Sequence, residues 1–144
     1  MTNELKKYYF TLLTPSVVIL ILLYVIKSFG TGVGFDLPGS KTVNVLLFVC
    51  SAAAGIAFPV FYRSRFANKL KDERVIDSGE FLKFEKRLIT IALMVPYLVV
   101  LAVLLNLPFN YSIGIFLIAI YSVYYFYPSR KRIDFDKKIF RVGK

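Results

Sequence analysis

Two carboxylates, Glu80 and Glu85, are the residues best placed by type and position to act as acids or bases, since both stand just ahead of a charge-free run that begins at Leu88. An enzyme acting on lipid at a membrane surface would need such a group at that boundary. The rest of the chemical inventory is narrow. With no histidine and one cysteine, Cys50, the chain cannot assemble a conventional zinc, haem or iron-sulfur ligand set, nor an internal disulfide. The glycines of "GTGVG" are not followed by the Lys-Ser/Thr pair of a phosphate-binding loop. The chain is therefore read as non-enzymatic, without cofactor or metal.

Cations offer a different chemistry. In "YYFYPSRKR" four aromatics within five residues run through a proline into Arg130, Lys131 and Arg132, with Lys137 and Lys138 a few residues on. Arg63 and Arg65 follow the second apolar run in the same way. Clusters of this kind beside a membrane helix attract anionic lipid by about 1 kcal/mol per residue. These seven residues form the candidate lipid- or partner-binding set. In "RIDFDKKIFRV" the apolar Ile133, Phe135, Ile139 and Phe140 suit shallow insertion or pairing with another chain, and their spacing leaves helix and strand both open.

Inside the apolar runs the polar residues are neutral. Ser51 and Gly55 in "CSAAAGIAFP" form a small-x-x-x-small pair that lets backbones approach closely; Cys50 beside them reads as an inert buried thiol. Pro96 implies a kink, and the Tyr97 hydroxyl needs a partner at that depth. Tyr121 and Tyr125, four apart, share a face with Ser122 close by, which suggests a hydroxyl stripe or an aromatic belt at the headgroups. Ser51, Gly55, Pro96, Tyr97 and Tyr121 are the candidate packing or cavity residues. Thr11, Thr14 and Ser16 surround Pro15, whose missing N–H leaves a carbonyl for a hydroxyl to take.

The elements that position these groups follow from composition. Of 144 residues 57% are apolar and 17% aromatic, with a formal charge of +10, which describes a membrane protein better than a soluble domain. The cations sit at the ends of apolar runs, not on one soluble face, so the partner is the bilayer and its anionic lipids, not nucleic acid. Three stretches lack Asp, Glu, Lys and Arg: Tyr8 to Ile26, Thr42 to Tyr62, and Leu88 to Ser129, of 19, 21 and 42 residues. A 42-residue helix would rise about 63 Å, twice the hydrocarbon thickness, so the last run must turn back, at Asn106, Pro108 and Asn110 of "NLPFN". The expected fold is a single all-α membrane domain, 1–144, with transmembrane helices at about 8–27, 42–62, 88–106 and 111–127. "VVILILLYVI" and "YLVVLAVLL" lack the alternation of a β-barrel.

With four spans, the amino terminus, the 63–87 loop and the 128–144 tail fall on one side with 17 Lys and Arg, against Lys27 and Lys41 on the other. That bias places both termini in the cytoplasm of an inner (plasma) membrane protein. In "IDSGEFLKFEKRL", Asp77 and Glu80 have capping-box spacing, which starts a helix near Ser78 that runs into the third span. Phe66 and Leu70 extend the second helix to meet it in a cytoplasmic helical hairpin with its turn near Asp77 to Gly79, carrying Asp72, Glu73, Glu85 and Lys86 as solvated charges. The function expected is that of an accessory or scaffold subunit whose basic face binds anionic lipid or a membrane-protein partner. The alternative is a small transporter or channel, built by homo-oligomerisation, for a neutral or anionic solute.

Overall fold

The computed structural model describes residues 1–30, 41–69 and 76–143. Every regular element among them is helical. Helix α1 spans Thr2–Ser28. Helix α2 spans Lys41–Lys69, with a π-helical turn over Ala53–Ala57. Helix α3 spans Ser78–Leu104 and is interrupted at Leu93. Helix α4 spans Phe109–Tyr125, and α5, Arg130–Ile139, leaves it at 76°. Three of these helices are long and apolar enough to cross a membrane, and the bent α4–α5 pair makes up to four. The glycine-rich stretch over 31–40 and the segment over 70–75, including Leu70, Asp72 and Glu73, lie outside the described residues.

Helix α3 is the centre of the assembly: α1, α2 and α4 all pack against it, and α4 also packs against α2. At 27 residues it rises about 40 Å, roughly 10 Å more than the hydrocarbon core. Its first turns, Ser78 to Arg87, project beyond the charge-free run.

Two clusters divide the interior. One, around Leu47, Ala54, Val95, Val99, Ala102, Ile115 and Ala119, fills the apolar half. In lipid the hydrophobic effect does not drive such packing, so close fit does. The Cα of Gly55 lies so near α4 that an added Cβ would stand 2.6 Å from Ile118 Cγ2 and 2.8 Å from Ser122 Oγ. The other cluster, at the charged end, joins Leu5 and Tyr9 of α1, Phe81, Phe84 and Leu88 of α3, Phe126, and Ile133 and Phe140 of the tail. Phe84 stacks on Tyr62 and Phe66, and Phe140 meets it edge-on. Because this cluster continues past the apolar runs, burial from water contributes there at about 25 cal/mol per Å².

Local chemistry accounts for the boundaries. Asp77 accepts a hydrogen bond from Gly79 N at 3.0 Å and caps α3, so Ser78 is its first residue as the capping-box spacing requires. Glu80 turns instead to Lys69, at 2.8 Å. Ser78 and Gly79 are already helical, which corrects the expected turn near Asp77 to Gly79. Asp77→Ala is expected to cost about 1 kcal/mol, read as a lowered melting midpoint by circular dichroism. At the far end, Asn106 takes φ 47° between α3 and α4, and the Lys27 ammonium donates to the Val103 carbonyl at 2.8 Å and to Asn106 Oδ1 at 2.5 Å. A cation there complements the carbonyl end of the helix.

Candidate functional site: a charged groove at the end of the helices

The tail resolves the ambiguity of its spacing by forming a helix. Pro128 lacks the N–H to continue α4, and the Ser129 hydroxyl accepts from Arg132 N at 3.2 Å to start α5. Ile133, Asp136 and Phe140 turn inward, while Phe135 and Ile139 stay exposed. Past the helix, Val142 pairs with Ile76 in an isolated parallel bridge, and Ile76 N donates to the Arg141 carbonyl at 3.3 Å. The tail is thus tied to the beginning of α3.

Beneath α5 lies an ionic tetrad. Arg132 Nη2 is 2.6 Å from Glu85 Oε2, and Arg132 Nε is 3.6 Å from Asp136 Oδ2. Arg63 Nη2 donates to Asp136 Oδ1 from the other side. Glu85 is 0% and Asp136 1% exposed. This corrects the expectation that Glu85 belongs to a solvated hairpin: the α3 face that carries Phe81, Phe84 and Leu88 also turns Glu85 inward, and Arg132 of the tail is its ion-pair partner. Glu85 precedes the charge-free run, and its burial pushes the carboxyl up to about 7, against the pull of Arg132 and with Asp136 adding to the rise. Glu85 Oε1 and Asp136 Oδ2 have no hydrogen-bond partner; a proton held between them would satisfy both.

Above the tetrad is a groove of about 1030 Å³, lined among others by Arg63, Ser64, Tyr124, Ser129, Lys131 and Phe135. Ring contacts set its cations: Arg63 lies 5.8 Å from the Phe140 centroid and Arg132 5.7 Å from that of Phe126. A second groove, of about 730 Å³, runs between α2 and α3 and is lined by Arg65, Lys69, Lys83 and Arg87 against Asp77 and Glu80. A third, of about 520 Å³, opens between α1 and α4; Phe10, Leu13, Val17, Phe116 and Ile120 form its walls, and Pro96 and Val99 of α3 its floor.

Of the seven candidate cations, Arg63, Lys131 and Arg132 meet in the first groove, and Arg65 lines the second. Arg130 and Lys138 are exposed, Lys137 is half-buried, and none of these three lines a groove described above. Arg63 and Arg132 are also framework, through the buried acids. The packing candidates separate. Ser51 is buried and donates to the Leu47 carbonyl at 2.8 Å, beside the π-helical turn that holds Gly55. Tyr97 finds its partner in the Leu12 carbonyl of α1, at 2.7 Å. Pro96 faces the third groove, and Tyr121 stacks on Tyr125 with centroids 5.4 Å apart on the exposed surface. Ser122 is fully buried, so it does not join that tyrosine face. Cys50 is exposed, not buried. Thr11, Thr14 and Ser16 donate to the carbonyls of Lys7, Phe10 and Leu13, not to that of Thr11, which Pro15 leaves unbonded.

Asp136 and Ser129 line the first groove and were not singled out from the sequence. For Ser129 a signal exists, a hydroxyl residue between a proline and a helical charge pattern. Asp136 has none, since one acid among cations reads as a solvated face. The fold and site define a class: a helical membrane protein with a basic, aromatic-rimmed surface where its helices leave the apolar layer. Beyond the class, no protein family, no curated protein and no solved structure matches the chain.

Proposed function

We propose that this chain is a non-enzymatic accessory or scaffold protein of the inner membrane. It crosses four times with both termini in the cytoplasm, and its basic cytoplasmic face holds anionic lipid. Seventeen of nineteen Lys and Arg flank that face, which supports the orientation. The observation that carries the reading is the outer surface of α5, where the exposed Arg130, Lys131 and Lys138 lie beside the exposed Phe135 and Ile139. A helix with that pairing lies in the interfacial plane, its apolar side chains in the acyl boundary and its cations at the phosphates. Tyr124, 84% exposed, and the stacked Tyr121 and Tyr125 support a headgroup belt at the same level. The transporter alternative calls for Ser51, Pro96, Tyr97 and Tyr121 around one path, and the four stand in separate surroundings, so lipid capture has the stronger support.

The test is charge reversal of Arg65, Arg130 and Lys138 to Glu together, in protein reconstituted with equal zwitterionic and anionic lipid. Native mass spectrometry of the wild type is expected to show anionic lipid retained preferentially, and the triple variant to lose about tenfold or more of that preference. Equal retention of both lipids by the wild type would overturn the reading.

A further inference from the structure

The grooves of about 1030 and 520 Å³ share two lining residues, Tyr124 and Tyr127. On one side of this junction the walls present Arg63, Lys131 and Arg132 with the hydroxyls of Ser64 and Ser129. On the other they are apolar from Phe10 to Leu20 of α1 and from Phe116 to Val123 of α4. Because α1 and α4 each pack on α3, the space between them opens sideways, with Pro96 and Val99 as its floor. Polar surface that gives way to apolar surface across a tyrosine rim matches one molecule with an anionic head and a hydrocarbon tail. The apolar groove also lies along the half of α4 that leads into the charged end, so a chain resting in it belongs to the leaflet that places its headgroup beside Lys131.

We propose that the two grooves form one site for a single anionic phospholipid, its phosphate held among Lys131, Arg63 and Ser64 and one acyl chain laid between α1 and α4. This rests on the lipid-binding reading above and assigns it a place. Charge complementarity selects the ligand. The headgroup groove presents three cations and one carboxylate, Asp136, and even counting Glu85 behind Arg132 the balance is positive. A zwitterionic head would bring its own cation into that field, and free phosphate would leave the apolar half empty. Both halves have volumes usual for ligand sites.

The chain has no tryptophan, so one introduced residue reports locally. Phe116→Trp places it in the apolar groove, and Phe61→Trp, at an exposed position of α2 outside that groove, serves as the control. Each variant is reconstituted in zwitterionic vesicles and titrated with lipid brominated on the acyl chain, either anionic or zwitterionic. The expected result is an anionic-over-zwitterionic quenching preference about tenfold higher at position 116 than at 61. Adding Ser64→Glu and Lys131→Glu to Phe116→Trp should remove that excess, whereas adding Lys7→Glu and Lys83→Glu, at exposed positions that line neither groove of the site, should leave it. Excess inorganic phosphate should not change it. Equal preference at both positions, with anionic lipid still favoured, would overturn the single site while the basic-face reading stands; no anionic preference at either position would overturn both. Loss of the excess on adding phosphate would show an ion site and overturn the lipid assignment.

Discussion

Arg132→Met is expected to destabilise the protein by about 3–5 kcal/mol at pH 8, among the largest effects of any single substitution outside the apolar core. The side chain is 15% exposed and is the direct counter-charge of Glu85, which has no access to water. Removing it leaves a buried carboxylate beside a second acid, Asp136. The effect should depend on pH in a fixed sense. Glu85 already has a folded-state pKa raised from 4.5 to about 7, and loss of Arg132 raises it further. Across that window the native state keeps a proton that the unfolded chain releases, so this group's contribution to stability declines as pH rises from about 4.5 through 7. The penalty of Arg132→Met is therefore expected to shrink at pH 5, where Glu85 is neutral. Unfolding by denaturing detergent, followed by circular dichroism, measures both. Glu85→Gln combined with Arg132→Met should recover a large part of the loss at pH 8, because no charge is then stranded. A penalty equal at both pH values and unrelieved in the double variant would show that Arg132 acts through packing on Phe126 alone.

Gly55→Leu is expected to disrupt the contact between α2 and α4, with even Gly55→Ala costing about 1–3 kcal/mol. A bare Cβ there would stand 2.6 Å from Ile118 Cγ2, 2.8 Å from Ser122 Oγ and 3.2 Å from Val95 Cγ2. These are side chains of two different helices, so neither can withdraw without moving the other. Gly114 offers the contrast: its added Cβ would meet only the ring of Phe48, at 2.6 Å, which can turn at the half-buried edge of α2. Gly114→Ala should thus be the milder change. Trimming Ile118→Ala in the Gly55→Ala background should restore part of the lost stability, and the melting midpoints of the four proteins give the order. A Gly55→Ala protein as stable as the wild type would show that the approach at Gly55 is not tight.

The positions of helices were legible because each rests on a local rule. Charge-free length marks the apolar runs, "NLPFN" marks the reversal between α3 and α4, and Asp77 with Ser78 marks the start of α3. The candidate site was legible as a set of cations but not as an arrangement. Seven were named; three of them share one groove, and two of those three are half-committed to acids the sequence presents as ordinary solvated charges. Glu85 belongs to the face that carries Phe81, Phe84 and Leu88, but nothing local shows that a guanidinium 47 residues away will cover it.

What the sequence determined by itself is the membrane class, the apolar lengths and the charge asymmetry, because these depend on transfer of side chains between water and lipid, which each residue undergoes largely alone. The tertiary structure decided which cations face outward, that the tail folds as a helix across the end of α4, and that a cleft opens between α1 and α4. Those outcomes depend on pairs of groups far apart in the chain: Arg132 with Glu85, Arg63 with Asp136, Gly55 with Ile118. Ion pairing in a dry site and close packing between helices act over a few ångströms, so they exist only once the fold has brought the partners together.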